Sequence, residues 1–384
     1  MRSLIYLDNA ATTRVAPEVA ALMRRCMLRD YGNPSCYHGF GLAAEALRER
    51  ARRQLSVAVG DPRGRRGRIV FTSCGTEADA LAVLGAARAR ASSGRHVVVP
   101  TFEHKAILGN VDALRHEGFR VTTVAVGGDG VIDPAAFARA LRKDTVLVGC
   151  MLVQNEIGTI QPVAEIARAV RARRGDEVHI HCDAVQALGR LPIDVAELDV
   201  DSLALSGHKI HAAKGVGALW LRNHSPVNPL WRGASQEESR RAGTENVPGI
   251  AGFGLAAEMA VARIGPERER LTRLRRKLLG LLTEGVAGIQ VLGTHAVPHI
   301  VAVALKGHRF KRLATMLQEQ GICVSGGSAC GVPEGHTHVH AAIGLPEDTR
   351  AVRISMSRYT TERDIEQAAR RIVQVARTVG LTGA

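Results

Sequence analysis

The stretch VHIHCDAVQALGRLPIDVAELDVDSLALSGHK, residues 178–209, contains two short apolar runs that each end in polar residues. VHIHC (178–182) and DSLALS (201–206) predict two buried strands, because short apolar runs bounded by polar residues are typical of such strands. Asp183 follows the first run, and Lys209 lies shortly after the second. Since ligands collect at the carboxyl ends of parallel strands, we expect both side chains at one functional edge of a sheet.

The chain on both sides extends this pattern. From about residue 69, apolar runs alternate with stretches in which apolar residues recur at i, i+3 and i+4. This alternation predicts an α/β fold with a mostly parallel central sheet that is covered by helices. The predicted strands are 68–71, 96–99, 119–126, 145–153, 178–182 and 201–206, and the predicted helices are 76–91, 105–118 and 163–175.

The C-terminal part predicts a second, smaller α+β unit. A helix-rich stretch (248–282) precedes two more apolar runs, 299–305 and 351–357. A chain of 384 residues is also longer than one core typically supports. We expect a large α/β domain over residues 14–255 and a small α+β domain made of residues 1–13 and 256–384.

Composition restricts the class of protein. Hydrophobic residues make up 46% of the chain and charged residues 23%, as in ordinary globular proteins. The first residues, MRSLIYLDNAATTRVAP, contain no long apolar segment, and no stretch approaches the length of a membrane helix. We therefore expect a cytoplasmic protein. The seven cysteines form no C-x-x-C pair, which disfavours disulfides and a structural zinc, and most are expected to be core residues.

The net charge of +14 favours an anionic partner or surface. Many of the arginines fall in helical segments such as 267–279, where a solvated helix face or an acidic protein partner is the simpler interpretation. The sequence shows no zinc finger, zipper or basic aromatic platform, so direct nucleic-acid readout is disfavoured.

Polar residues at the predicted strand ends suggest an anion site. TSCGTE (72–77) ends one strand and opens a helix, so backbone amides at Gly75 and Thr76 could face an anion. The same residues also predict an ordinary helix cap. Ser206 and His208 are further anion ligands by type, and they directly precede Lys209.

These residue types together suggest pyridoxal 5′-phosphate (PLP). A neutral lysine forms a Schiff base with an aldehyde, and PLP also needs a carboxylate beside its ring nitrogen and donors for its phosphate. Lys209 and Asp183 supply the first two, and the residues near 75 and 206 supply the third. Lys209 alone would be read as a surface lysine, and Lys214, in a glycine-flanked turn, as structural.

Many segments then resemble a known family, the cysteine desulfurases of the class V, fold-type I group of PLP-dependent enzymes. The resemblance extends over nearly the whole chain. The matching segments, in order, are YLDNAATT (6–13), GNPSCYHGFG (32–41), FTSCGTEADAL (71–81), EHKAIL (103–108), VQNEIGTIQP (153–162), HCDAVQALGRLPID (181–194), SGHKIHAAKGVGAL (206–219), RRAGTENVPG (240–249), SGGSAC (325–330) and VRISMSRYTTERDI (352–365).

The resemblance implies a set of cofactor contacts and a homodimer. His104 would stack on the ring and take part in acid–base chemistry, and Lys209 would form the Schiff base. The remaining contacts would be Asp183 to the ring nitrogen, Asn155 and Gln186 to the phenolic oxygen, Gly75, Thr76, Ser206 and His208 to the phosphate, and Thr244 to the phosphate of the other subunit.

The resemblance also implies the reaction. Arg353 would bind the carboxylate of L-cysteine, helped by Asn33 or its neighbours, and Cys330 would attack the substrate sulfur. The products would be L-alanine and a persulfide on Cys330. A sulfur-accepting protein would take that sulfur for Fe–S cluster assembly or for thiolation of RNA or DNA, and the +14 charge adds the weaker hypothesis of a pathway near nucleic acid.

The sequence departs from the family pattern at three places. Cys74 replaces a usual glycine, HAA (211–213) replaces Tyr-Gly-Pro, and a histidine-rich stretch (331–346) follows the nucleophile. His336, His338 and His340 alternate, but no fourth ligand is evident, so we expect no metal.

Other functions stay open at this point. A selenocysteine lyase or an aminotransferase would share the fold, and a third hypothesis is a binding protein without activity. SGGSAC (325–330) favours desulfuration, because transamination needs no nucleophilic thiol. Lys209 and Asp183 disfavour the loss of catalysis.

Overall fold

A computed structural model of the chain describes residues 4–306, 313–326 and 336–378. Its centre is a sheet with the strand order β2-β8-β7-β6-β5-β3-β4. The strands of this large sheet are β2 (Gly67–Thr72), β3 (His96–Pro100), β4 (Arg120–Val124), β5 (Thr145–Gly149), β6 (His179–Asp183), β7 (Ser202–Ser206) and β8 (Gly217–Arg222).

Most of the pairings in the large sheet are parallel. Strands β3 to β7 pair in parallel, whereas β8 is antiparallel to both of its neighbours, β7 and β2. The central strands β5, β6 and β7 are buried along their whole length, as expected for a sheet with both faces covered. The predicted fold class, a mostly parallel sheet between helices, is confirmed.

Helices cover the large sheet, and others belong to a second unit. Helix α3 packs against β7 and β8, and α8 packs against α1 and α2. The helices are α1 (Pro17–Leu28), α2 (Gly39–Ala58), α3 (Gly75–Ala89), α4 (Lys105–His116), α5 (Pro134–Ala140), α6 (Val163–Arg174), α7 (Val195–Leu198), α8 (Val247–Val261), α9 (Ile264–Gly285), α10 (Leu313–Glu319), α11 (His338–Ala342) and α12 (Glu362–Thr378).

The second unit has its own hydrophobic core. Its antiparallel sheet has the order β12-β10-β9, and a short parallel pair joins β1 to β11. Leucines of α9 and apolar residues of α12 form this core with the strands. The strands are β1 (Ile5–Tyr6), β9 (Gln290–Leu292), β10 (Ile300–Lys306), β11 (Ile322–Cys323) and β12 (Thr349–Ser355). The domain limits at residues 13 and 255 stay a prediction.

The N-terminal segment connects the two cores. Ile5 and Leu7 are buried in the core of the small unit, whereas Ala10 is buried in the core around the large sheet. Thr13 then binds the segment that follows β7, because its N–H and its hydroxyl both donate to the carbonyl of His208, at 2.9 Å each. Residues 8–13 therefore cross directly over the carboxyl edge of the large sheet.

One bent pair of helices has the length and apolar composition of a membrane span. Among the described residues, no single helix is long and apolar enough to span a membrane, and α8 and α9 reach that length and composition only when taken together across a bend of 70°.

Candidate active site

A cavity lies at the carboxyl edge of the large sheet, where the ends of β6 and β7 face the first turns of α3 and α4. Ten of the residues predicted for the site line it, although they come from separate segments of the chain. They are Gly75, Thr76, His104, Asn155, Asp183, Gln186, Ser206, His208, Lys209 and Arg353.

Lys209 lies in a single 3-10 turn (Gly207–Lys209) directly after β7. Its Nζ donates to the backbone carbonyl oxygens of Ala10 and Ala11, at 2.7 and 2.8 Å. The amide nitrogen of Gln186 donates to the same Ala10 oxygen at 2.9 Å. The crossing N-terminal segment therefore fixes the amine at the cavity wall, and Lys209 is not a solvated surface lysine.

Asp183 is the last residue of β6 and is 7% exposed. One of its carboxylate oxygens, Oδ1, accepts the N–H of Val185 at 2.9 Å. Burial raises the pKa of this carboxyl, and the nearby His104 imidazole, the Val185 N–H and the Lys209 ammonium oppose that rise. A bound cation would favour the charged carboxylate further, as expected of a partner for a protonated ring nitrogen.

His104 precedes α4, and its Nδ1 accepts the N–H of Ala106 at 3.1 Å. Burial lowers the pKa of His104; Asp183 opposes this shift, and the Lys209 cation adds to it. The imidazole is therefore neutral near pH 7. Because Nδ1 is an acceptor, the proton of the neutral ring is on Nε2, which can donate or exchange it.

The first turn of α3 and the end of β7 form the predicted phosphate site. A methyl group added at Gly75 would lie 2.9 Å from Val185 Cγ2 and 3.2 Å from Ser206 Cβ, so a larger residue does not fit there without a shift. The Ser206 hydroxyl is buried and has no hydrogen-bond partner among the described residues. An unpaired buried hydroxyl beside a helix N-terminus fits an anionic oxygen.

His208 lies beside this anion site. Its Nδ1 is 3.2 Å from the Thr12 hydroxyl. Burial, followed by the Lys209 and Lys214 charges, lowers the pKa of His208 to about 4. The ring is therefore neutral near pH 7 and can offer one N–H, while the Thr76 hydroxyl, at the exposed side of α3, can offer another donor.

The small unit contributes Arg353, from β12, to the cavity. The side chain is buried and donates from Nη1 to the Asn155 carbonyl at 2.8 Å and from Nη2 to Asp8 Oδ1 at 2.9 Å. Its Nε has no partner among the described residues. A buried guanidinium with donor capacity left over can bind a carboxylate.

Seven residues that line the cavity were not predicted as part of the site, and two of them, Asp79 and Cys74, have ionisable side chains. Asp79 lies one turn after Gly75 on α3 and is 1% exposed, and the sequence signal for it was an acid inside an apolar helix. Burial, then Asp183 and Glu103, raise the pKa of Asp79 well above its ordinary value. Cys74, which replaces the usual glycine, caps α3 by accepting the Glu77 N–H at 3.4 Å.

Three predicted residues are not among those that line the cavity. The Asn33 side chain is exposed and accepts the Ser35 N–H at 3.0 Å. Thr244 is also exposed, and it lies beside a separate cavity next to Ser73. Cys330 lies outside the described residues. The roles predicted for these three residues stay predictions.

The alternating histidines bind to separate partners. His336 Nε2 is 2.8 Å from the Leu345 carbonyl, and His338 Nε2 is 2.8 Å from the Glu103 carbonyl. His340 Nδ1 accepts the Thr337 N–H in a capping box of α11. Within the part of the chain that the structure describes, no group of three or more histidine, cysteine or acidic side chains could hold a metal ion.

The cavity thus combines what PLP requires: an amine, a buried acid, a neutral imidazole and donors for a phosphate. The unpaired Ser206 hydroxyl and the tight approach at Gly75 are the features of this chain that fit the phosphate most directly.

Comparison with known proteins agrees with this chemistry. The profile of the family "Aminotransferase class-V" matches residues 5–368. Cysteine desulfurase IscS of Dictyoglomus turgidum is 36% identical over 387 residues, which cover 99% of this chain and 97% of that protein.

Two solved structures show the same likeness. A NifS-like protein has a TM-score of 0.90 at 33% identity, over 98% of this chain and 100% of its own. A structure of SspA in complex with cysteine has a TM-score of 0.80 at 30% identity, over 93% and 99% of the two chains. The chain therefore belongs to the class-V aminotransferase family and, within it, to the PLP-dependent cysteine desulfurases.

Proposed function

We propose that the cavity at the carboxyl edge of the large sheet holds PLP and L-cysteine together, and that Cys330 receives the sulfur. The observation that carries the proposal is the single cavity that Lys209, Asp183 and Ser206 line with Arg353. SspA, a similar protein, has been solved in complex with cysteine, which supports L-cysteine as the substrate.

In this proposal Gly75, Thr76, Ser206 and His208 bind the phosphate of PLP, and Asp183 pairs with its ring nitrogen. His104 packs on the ring, and Asn155 and Gln186 bind its phenolic oxygen. When bound, PLP supplies an aldehyde that reacts with amines and a protonated ring that withdraws electrons from the substrate.

Lys209 moves the proton at the α-carbon of the substrate. The Ala10 and Ala11 carbonyls orient its Nζ, and a neutral amine in this position can accept that proton. His104 is suited to exchange a second proton, because its imidazole is neutral and its Nε2 is not used by α4. Arg353 orients the substrate by binding its carboxylate with two or more N–H groups.

Cys330 takes the sulfur in a step that needs no other oxidant or reductant. Its thiolate attacks the substrate Sγ, an S–S bond forms and the substrate C–S bond breaks. The electron pair of the broken bond stays with the substrate carbon, which takes up protons and leaves as L-alanine. The enzyme keeps the persulfide.

The anchors of the segment around Cys330 support its reach to the cavity. Ser325 and Arg353 exchange backbone hydrogen bonds of 3.2 and 2.8 Å, and Arg353 lines the cavity. Cys330 follows Gly326 by four residues, so its Cα can lie at most about 14 Å from that of Gly326. In this proposal Cys330 uses that reach to visit the substrate and later to present the persulfide to a partner.

A homodimer, a sulfur-accepting protein and a cytoplasmic location belong to the same proposal. In a homodimer, the exposed Thr244 would reach the phosphate of the second copy, which explains why it lies outside the cavity of its own chain. The acceptor would be an Fe–S scaffold or a thiolation enzyme. Transfer of labelled sulfur from the persulfide to captured partners would identify it.

Two matched pairs of variants test the proposal. Purified protein should show a visible absorbance band with PLP, Lys209→Ala should lose it, and Lys214→Ala, an exposed lysine in a turn nearby, should keep it. Cys330→Ser should still bind PLP and L-cysteine but release no sulfide with a thiol reductant, whereas Cys74→Ser should release it.

For each pair of variants, one outcome would reject a part of the proposed function. A protein that stays colourless with PLP would reject the cofactor site. Full sulfide release by Cys330→Ser would reject the nucleophile, and loss of release in Cys74→Ser alone would move that role to the thiol that lines the cavity.

A further inference from the structure

A chain of buried hydrogen bonds leads from the cavity along one face of the large sheet. Asp79 Oδ1 is 3.1 Å from His181 Nε2, and His181 Nδ1 is 2.8 Å from the Ser202 hydroxyl. The same hydroxyl is 2.7 Å from His179 Nε2, and His179 Nδ1 is 3.0 Å from the Ser225 hydroxyl. We call these five residues the Asp79 chain.

The register of the strands in the large sheet accounts for this series of hydrogen bonds. His179 and His181 are two residues apart on β6, so both side chains emerge on one face of the sheet. Ser202 is the register partner of His181 on the neighbouring strand β7 and points to the same face. Helix α3 packs over these strands and brings Asp79 to the end of the chain.

The protons along the chain are coupled to one another. The Ser202 hydroxyl has one proton and lies between two imidazole nitrogens, so it donates to one ring and accepts from the other. If Asp79 is protonated, it donates to His181 Nε2, His181 donates from Nδ1, and Ser202 donates to His179. If Asp79 is ionised, every one of these bonds reverses.

The surroundings favour a protonated Asp79. Asp79 is 1% exposed, and Glu103 and Asp183 are two more buried carboxyl groups near it. Neighbouring buried carboxylates repel one another, so ionisation of all of them is strongly disfavoured. Burial also lowers the pKa of His181 to about 3, so this ring stays neutral and one of its nitrogens can accept a hydrogen bond.

Asp183 is the acid best placed to be ionised. It accepts the Val185 N–H, and the His104 and Lys209 side chains both favour its charged form. Asp79 differs, because it has a neutral imidazole acceptor within hydrogen-bond distance. We propose that His181 is a positioning residue that holds Asp79 protonated, with its O–H turned away from Asp183, so that Asp183 alone is the charged partner of the cofactor ring.

This inference rests on the role proposed above for Asp183. Without His181, the O–H of Asp79 would lose this acceptor and would be free to turn towards the Asp183 carboxylate, the charge that, after burial, most strongly raises the pKa of Asp79. A carboxylate that accepts such a bond attracts a ring proton less strongly. The protonation of the bound ring should then change although no group that touches it has been replaced.

The tautomer of His181 tests the inference directly. In protein grown with ¹⁵N-labelled histidine, the nitrogen chemical shifts of His181 should show a protonated Nδ1 and a bare Nε2, both with and without PLP. The signals are assigned by their loss in His181→Gln. A protonated Nε2 would overturn the inference, and this result would be independent of cofactor binding.

Absorbance of the holoenzyme provides a second test. His181→Leu should move the pH midpoint of the visible absorbance change by about one unit or more, and His181→Gln, whose amide oxygen can accept the same bond, should restore it. Asp79→Asn keeps a neutral donor toward His181 and should leave the midpoint in place. A shift in Asp79→Asn comparable to that in His181→Leu would mean that Asp79 is ionised in the native enzyme, and would overturn the inference.

His96→Leu is the matched control. His96 is also a buried histidine of the large sheet, held by the hydroxyls of Thr145 and Thr122 at 2.7 and 2.8 Å, but it begins β3 at the edge opposite the cavity. Its replacement should not move the midpoint. If His96→Leu and His181→Leu move it equally, the effect is a general loss of packing and the inference fails, whereas a protein without any PLP absorbance would reject the proposed function instead.

Discussion

Replacement of Arg353 by lysine should weaken the use of L-cysteine while the cofactor stays bound. The guanidinium is 3% exposed and already donates to Asp8 and to the Asn155 carbonyl, and its Nε has no partner among the described residues. Lysine keeps the positive charge but has one nitrogen in place of three. It cannot hold Asp8, the Asn155 carbonyl and a substrate carboxylate in the same geometry.

The size of the effect follows from the bond that is lost. A hydrogen bond to a charged group contributes about 1.5–3 kcal/mol, and about 1.4 kcal/mol corresponds to a factor of ten. Arg353→Lys should therefore lower kcat/KM for L-cysteine by about 10- to 150-fold, mainly through a higher KM. Initial rates of alanine formation over a range of cysteine concentrations measure both constants.

Cysteamine separates the carboxylate contact from a general disturbance of the site. It has the amine and thiol of cysteine but no carboxylate, so its binding, followed by the absorbance of the cofactor, should be nearly the same in the two proteins. Arg350→Lys is the matched control, because Arg350 lies on the same strand and donates to backbone carbonyls of Glu347 and Thr349. Equal losses for cysteine and cysteamine in Arg353→Lys would refute the assignment of the carboxylate to Arg353.

Two further predictions concern the anion site and the stability of the fold. Gly75→Ala should weaken PLP binding by about tenfold or more, because the added methyl would lie 2.9 Å from Val185 Cγ2 and overpacking typically costs about 1–3 kcal/mol. Gly280→Ala is the control, because nothing lies within 4 Å of the added methyl, and it should leave PLP binding unchanged. Equal affinities of the two variants in a PLP titration would contradict this prediction. The urea midpoint should fall as the pH drops from about 6.5 towards 4, because burial lowers the pKa of His96 and of His208 to about 4 and the unfolded chain therefore binds protons that the folded chain does not. The fall should be smaller in His96→Leu, and an identical pH dependence in both proteins would count against a neutral buried His96.

The sequence predicts the parallel part of the fold because local pattern and tertiary environment agree there. The apolar runs at β5, β6 and β7 are buried along their length, so their composition reflects their position directly. The predicted strand 145–153 is too long: the structure ends it at Gly149, and the apolar residues 150–153 continue into the cavity wall. Strand β8 was not predicted. It pairs antiparallel with β7, which ends shortly before it, and with β2, which is far away in sequence.

The residues of the site also differ in how well the sequence predicts them. Asp183 and Lys209 are predictable because a charged residue at the end of an apolar run is conspicuous. Arg353 is not predictable from local pattern, since the small unit brings it to the cavity across more than a hundred residues, and only the family resemblance indicated it. The sequence signal for Asp79, one acid on an apolar helix, gains meaning only when its partner on another strand is known.

The N-terminal segment explains how the two units can share one cavity. Asp8 holds Arg353 of the small unit, and the carbonyls of Ala10 and Ala11 hold Lys209 of the large one. The proposed carboxylate site and the amine are therefore linked through four consecutive residues. A displacement of the small unit must therefore break the contact between Asp8 and Arg353, break the contacts of Ala10 and Ala11 with Lys209, or move Lys209 as well. The distance between the group that orients the substrate and the group that moves its proton is thus set by the short N-terminal segment as well as by the two cores.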